Sequence, residues 1–278
     1  MKKLFDELSR EVSKVTTKKY STSFSLGILA LNPSIRPAIY AIYGYVRLAD
    51  EIVDSFHDYD KQVLLQRLKQ ETDNALAEGV SLNPILQSFQ ETVSKYHIDR
   101  ALIDQFLKSM EMDLHNTLYD TEKYNEYILG SAEVVGLMCL QIFVGGDNES
   151  YATLKPYAMK LGSAFQKVNF LRDLKDDYTI LNRTYFPNID LRAFDNIAKL
   201  QIEKEIATEF EQSLIGIKKL PASARFGVYL AYRYYYSLFK KIRKFSADKL
   251  LQERVRIKNA KKLTLMVYSY LRFKITAI

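Results

Sequence analysis

The chain has 278 residues, 47% hydrophobic and 26% charged, a composition that excludes intrinsic disorder and collagen-like repeats. Ten glycines and six prolines make up about 6% of it, roughly half the usual share, so long helices are favoured over many short strands. The net charge of +7 invites a polyanionic partner, whether nucleic acid, an anionic membrane or a phosphorylated substrate.

The pattern along the chain is helical. Phe5, Leu8, Val12 and Val15 have the spacing of an amphipathic helix. Tyr20 to Leu31 is a mostly apolar segment ended by Asn32-Pro33, and Arg36 to Phe56 reads as a long helix with Pro37 in its first turn. Helices follow from Gln62 to Leu76, stopped near Gly79, from Pro84 to Tyr96, and from Asp99 as N-cap to Leu114. Thr121 to Val144 is next, ended by Gly145-Gly146, then Ala152 to Tyr178 and a loop holding Arg183 and Pro187. Asn196 to Ile217, Ala222 to Phe245 and a helix from about Ala260 complete an all-α bundle, taken as one domain over residues 1–278.

Cys139 is the single cysteine and cannot form an internal disulfide, which fits a reducing cytoplasm. The early acidic residues argue against a signal peptide. No run is expected to reach the ~18–20 apolar residues of a membrane span; the longest, Val134 to Val144, is broken by Gln141.

Two aspartate pairs carry the chemistry. Asp50 and Asp54, and Asp173 and Asp177, are each four residues apart, so both carboxylates of a pair leave one helix face. Like charges at that spacing repel, and Mg²⁺ is their natural neutraliser: a hard cation that takes one or two carboxylates together with substrate phosphate oxygens. A single such pair is usually a solvated face. Here each lies on an apolar, aromatic-rich helix with an arginine close upstream, Arg47 or Arg172, and Gln166 and Asn169 precede Asp173 by seven and four residues. Polar residues aligned on an apolar helix indicate a lined cavity in a bundle core.

These residues resemble the squalene/phytoene synthase family, closest to its bacterial phytoene synthases. The resemblance runs through Tyr20-Ser21-Thr22-Ser23-Phe24, Tyr43-Gly44-Tyr45-Val46-Arg47-Leu48-Ala49-Asp50-Glu51-Ile52-Val53-Asp54, Met110-Glu111-Met112-Asp113-Leu114, Ser131 to Met138, Gln166 to Asp177 and Arg183-Thr184-Tyr185-Phe186-Pro187. It implies an isoprenoid synthase bundle with a central cavity. The implied reaction is head-to-head (1′-1) condensation of two geranylgeranyl diphosphates through prephytoene diphosphate to phytoene, in carotenoid biosynthesis. Squalene or dehydrosqualene synthesis from two farnesyl diphosphates is the alternative within the same chemistry. Mg²⁺ is the implied metal, with Mn²⁺ as a substitute, and phytoene formation needs no NADPH.

The resemblance further implies that Asp50, Asp54, Asp173 and Asp177, with Asn169, hold the metal. Ser21, Ser23, Arg36, Tyr43, Arg47, Gln166, Tyr235 and Arg254 fall to the diphosphates, and Phe24, Tyr127, Val134 and Leu137 to the tail cavity. Glu133 stands where many relatives carry a small residue, which bears on substrate length. Glu111 and Asp113 face different sides of their helix and read as structural. A non-catalytic relative would be expected to lose metal-site aspartates, and a nucleic-acid binder would not account for paired carboxylates.

The charge divides along the chain. Residues 218–278 carry 16 Lys/Arg against 2 Asp/Glu, and residues 1–217 carry 24 against 31. The expected polyanion is therefore substrate diphosphate first and a membrane surface touched by a cytoplasmic protein second, with no nucleic acid partner. Oligomeric state has no signature in the sequence.

Overall fold

A helix is buried by whichever face its neighbours can approach, and the first helix shows this. In α1 (Lys2–Tyr20) the buried residues are Ser9, Ser13 and Thr17, while Leu4, Leu8 and Val15 are exposed. The face that the apolar spacing suggested is therefore not the packed one. The reason is close approach to α3 (Arg36–Asp54) and α5 (Pro84–Tyr96): a Cβ added at Gly44 would lie 3.0 Å from Ser13 Oγ, and the Ser13 and Ser88 hydroxyls share a 2.6 Å hydrogen bond. Ser9 and Thr17 donate to the carbonyls of Phe5 and Ser13, so burial leaves these hydroxyls satisfied.

The structure is a computed structural model that describes residues 1–115, 119–179, 185–187, 194–257 and 259–276, without the side chains of 176–179, 259–261, 263 and 274–276. It is all helical, with no strand among the described residues. Between α1 and α3 lies the short α2 (Thr22–Leu29), opened by Ser21, whose hydroxyl accepts from the Phe24 amide at 3.2 Å. After α3 come α4 (Lys61–Glu78), α5 and α6 (Arg100–His115). The expected Thr121–Val144 helix is broken into α7 (Thr121–Ile128), a π-helical turn (Leu129–Glu133) and α8 (Val134–Phe143). Then follow the 32-residue α9 (Asn148–Thr179), α10 (Asn196–Lys219), α11 (Ala222–Ile242), an unanticipated α12 (Ala247–Gln252) and α13 (Asn259–Thr276).

Thr121–Phe143 does reach the length and apolarity of a membrane span, contrary to the sequence expectation. More than half of its most apolar window is nevertheless buried, with Met138, Leu140 and Ile142 deep in the protein.

Two apolar clusters flank a central space. One is built on α2 to α6 and α8, with Tyr45 stacked on Phe89 at 3.8 Å; the other on α7 and α9 to α12, with Phe165 stacked on Tyr235 at 3.9 Å. Both contribute to one cavity of about 640 Å³: Ile28, Leu31, Ile42 and Met110 from the first, Tyr127, Phe170, Ile217 and Tyr235 from the second. Ligand pockets generally span ~300–1,000 Å³, so this space has room for long apolar chains.

Candidate active site

The cavity wall changes character along its length. Leu31, Leu140, Phe143, Leu154, Leu220 and Val228 make an apolar part, and Arg47, Asp50, Asp54, Asn169, Arg172, Asp173 and Arg254 make a polar part. Such a space fits a molecule with a long apolar body and a charged head.

The last turns of α3 present Asp50 and Asp54. Burial and the neighbouring Asp54 charge push the Asp50 carboxyl up to about 7, with Arg47 opposing and Asp113 adding to the rise. Arg47 Nη1 is 4.0 Å from Asp50 Oδ2, but its stronger pairing is to Glu51. The guanidinium also covers the Tyr20 ring at 4.3 Å.

From the opposite wall, α9 presents Gln166, Asn169 and Asp173. The Asp173 carboxylate is held by two guanidinium groups: Arg172 Nε donates to Oδ1 at 2.9 Å, and Arg254 Nε, from the segment between α12 and α13, reaches Oδ1 at 2.7 Å. Tyr235 on α11 stands beside Asn169 and Arg172, and burial raises its phenol. Tyr43 stands beside Ser21, and burial pushes its phenol up to about 12.

The residues present fit a hard divalent cation. All the donors are oxygens. The neighbouring Asp54 charge works against ionisation of Asp50, and among the described residues the buried Asn169 Oδ1 has no hydrogen-bond partner. Three His, Cys, Asp or Glu side chains do not converge on one point among the described residues, because Asp50 and Asp54 stand on one wall and Asp173 on another. A cation here would be shared with ligand oxygens. Asp177 lies near the end of α9, and its side chain falls outside the described residues, as do Arg183 and Thr184.

The structure brings Ser21, Phe24, Tyr43, Arg47, Asp50, Asp54, Tyr127, Gln166, Asn169, Asp173, Tyr235 and Arg254 to this one cavity. Four expected residues stand elsewhere. Ser23 is off the wall, in the first turn of α2 two residues after its cap Ser21. Arg36 donates through Nε to the Leu31 carbonyl at 2.9 Å, closing the turn before α3. Val134 and Leu137 are both 2% exposed and off the wall, Val134 in the α3–α6 cluster and Leu137 in a cluster with the wall residues Leu140, Leu154 and Leu220. The cavity face of α8 is instead Val135, Gly136, Cys139, Leu140 and Phe143. A π turn adds a residue to the helical repeat and so rotates every later side chain. Glu133 is also off the wall, beside Lys160, Glu209 and Lys167.

Two residues emerge that sequence reasoning had set aside or missed. Asp113 lies on the wall, 7% exposed, accepting from the hydroxyls of Tyr127 at 2.8 Å and of Tyr119 and Tyr185 at 3.4 Å each. Lys262 on α13 is half-buried, its ammonium destabilised by burial and by Arg172 close by, which adds a cation near the polar end. No local motif marks Lys262; it is one of many lysines in a basic segment.

Comparison with known proteins agrees with this geometry. A family model described as "Squalene/phytoene synthase" matches residues 17–261. The chain is 28% identical over 248 residues to phytoene synthase 1 of Arabidopsis thaliana, covering 81% of this chain but only 57% of that protein. It is 27% identical over 191 residues to a 4,4′-diapophytoene synthase of Staphylococcus haemolyticus, covering 68% of this chain and 65% of that one. Among solved structures, a dehydrosqualene synthase in complex with ligand superposes with a TM-score of 0.83 at 22% identity, covering 97% of this chain and 98% of that one. The squalene synthase HpnC from Alicyclobacillus acidocaldarius follows at 0.74 and 21%, covering 85% and 93%. With the family model spanning most of its length and the same helical fold around one cavity, the chain belongs to the squalene/phytoene synthase family.

Proposed function

We propose that this protein condenses two isoprenyl diphosphates head to head, with geranylgeranyl diphosphate as the substrate and phytoene as the product. The observation that carries this is one cavity whose polar end bears two facing sets of carboxylates rimmed by arginines, continuous with an apolar interior. Bound Mg²⁺ would supply Lewis-acid stabilisation of the departing diphosphate. Asp50, Asp54, Asp173 and Asn169 are the described residues that would hold it.

The chain's own groups account for the rest. Arg47, Arg172 and Arg254 offer charge-assisted donors to phosphate oxygens. Tyr43 and Tyr235 keep their phenolic protons at neutral pH and can donate at the same end. Phe24, Phe165 and Tyr235 form an aromatic group at the join between polar and apolar parts, with Phe24 and Tyr235 centroids 5.8 Å apart. Desolvated aromatic faces stabilise a nearby cation by ~0.5–2 kcal/mol each, and the apolar wall excludes water from it.

The farnesyl alternative draws support from the 0.83 TM-score to a dehydrosqualene synthase. Incubation with Mg²⁺ and each diphosphate, with and without NADPH, followed by identification of the hydrocarbon, separates the two. A C40 product without reductant is expected; a C30 product alone rejects the phytoene assignment.

We also propose peripheral contact with anionic lipid. Val267, Tyr268, Tyr270 and Leu271 on α13 are about half exposed, within a segment that carries 16 of the 40 basic residues. Salt-sensitive sedimentation with anionic vesicles tests this, and equal sedimentation with neutral vesicles rejects it.

A further inference from the structure

Behind the cavity wall, between α9, α10 and the π turn, lies a buried cluster of charge that the reaction does not touch. The Lys167 side chain is 4% exposed and that of Glu209 is 5%. Lys167 Nζ donates to Glu209 Oε1 at 2.8 Å and also pairs with Glu205. Ser163 Oγ donates to the same Glu209 oxygen at 2.9 Å, and Lys160 Nζ stands 3.6 Å from it. Glu209 Oε2 is buried with no hydrogen-bond partner among the described residues. Glu133 closes the cluster from the π turn, its carboxyl raised by burial.

Stability does not explain such a cluster. Removing ions from water costs several kcal/mol each, and apolar side chains of similar volume are often at least as stable, whereas a pair with one partner removed is much worse. What a buried pair does supply is a single permitted register, because any sliding or rotation separates the charges. The placement on α9 gives that register a use. Ser163 and Lys167 share the face toward α10, and Gln166, Asn169 and Asp173 share the face toward the cavity. The π turn is fixed on the same helix: a Cβ at Gly162 would lie 2.7 Å from the Ala132 carbonyl oxygen, and Ala132 is itself on the cavity wall.

We propose that Lys167 and Glu209 are positioning residues that fix the rotation and axial register of α9, so that Asn169 and Asp173 face Asp50 and Asp54 across the polar end of the cavity. The inference rests on the reading of that end as a diphosphate and metal site.

The test uses the full chain with Lys167→Met, Glu209→Gln, the double variant Lys167→Met/Glu209→Leu, and Glu205→Gln, whose carboxylate is 54% exposed. Three quantities are read: the thermal midpoint, the Mg²⁺ midpoint for turnover of geranylgeranyl or farnesyl diphosphate, and Mg²⁺ binding by calorimetry with inorganic diphosphate present. The single variants at the buried pair are expected to lose thermal stability and to raise the Mg²⁺ midpoint about tenfold, the scale seen when partners that orient metal ligands are removed. The double variant is expected to recover the thermal midpoint but keep the raised Mg²⁺ midpoint. Glu205→Gln is expected to raise it less, about two- to threefold. A wild-type Mg²⁺ midpoint in the double variant overturns the proposal, as does one in Glu205→Gln should the double variant not fold. If the wild type turns over neither diphosphate, it is the reaction assignment that fails, and the calorimetric midpoints still decide the role of the pair.

Discussion

The two aspartate pairs are nearly identical as sequence patterns, yet their first members, Asp50 and Asp173, meet opposite electrostatic surroundings. On α3, Asp50 and Asp54 stand together with one nearby arginine whose stronger pairing is to Glu51, and Asp50 is pushed up to about 7. On α9, Asp173 is clasped by Arg172 and Arg254. Spacing reports which side chains share a face; it says nothing of the cations that other elements bring. Asp50 thus lies against a like charge that a metal can neutralise, and Asp173 lies against cations.

That contrast is broken most severely at Asp50. Asp50→Asn is expected to reduce turnover by roughly 10²–10³-fold or more, the scale of removing a main electrostatic stabiliser, with helical circular dichroism unchanged. Retained turnover would reject the metal assignment on α3.

On the other face, Arg254→Gln removes a charge-assisted partner worth ~1.5–3 kcal/mol. The expected result is an increase in KM of about tenfold or more and little change in the thermal midpoint. An unchanged KM would leave Arg254 as a partner of Asp173 only.

The pH dependence sharpens the comparison through stability alone, with no turnover to be measured. Asp50 titrates near ~3.9 in an unfolded chain and at about 7 in the folded one. Between those values the folded protein holds a proton that the unfolded chain has released. Its contribution to stability is therefore full below pH ~4 and is lost as the pH rises through about 7. The thermal midpoint of the metal-free protein should fall from pH 5 to 8, by roughly 2–4 °C per kcal/mol. Mg²⁺ and Asp50→Asn should each flatten that slope, and a slope unchanged in Asp50→Asn would remove Asp50 as its source.

The smallest effect is expected at Arg36, an arginine outside both faces. Arg36→Gln loses the bond to the Leu31 carbonyl, which costs about 1 kcal/mol of stability, and turnover should change less than threefold. A larger loss of turnover would return Arg36 to the diphosphate site.

Much of the architecture was legible in the sequence because its signals are local. Pro84 and the Asn83 cap start α5, Gly79 ends α4, and Asp195 caps α10 through the Ile197 and Ala198 amides. What escaped depends on distant partners or on a change of period. The packed face of α1 is set by Ser88 and Gly44 on other helices. Nothing local in the α7–α8 segment announces the π turn, and Val134 and Leu137, assigned to the tail cavity by the family resemblance, stand off the wall beyond it. Asp113 looked structural because its three tyrosine partners, Tyr119, Tyr127 and Tyr185, come from up to 72 residues away.

The continuity of α9 has a metrical consequence. One unbroken helix lines the cavity from Leu154 through Tyr157, Ala158, Leu161 and Phe165 to Asn169 and Asp173. At ~1.5 Å per residue the span from Leu154 to Asp173 is about 28 Å. An isoprene unit is close in length to one helical turn, so a tail one unit longer ends beside a different turn of the same rod. In the proposed reaction Leu161, Ala158 and Leu154 would stand along α9 like graduations, each opposite a different carbon number counted from the diphosphate end.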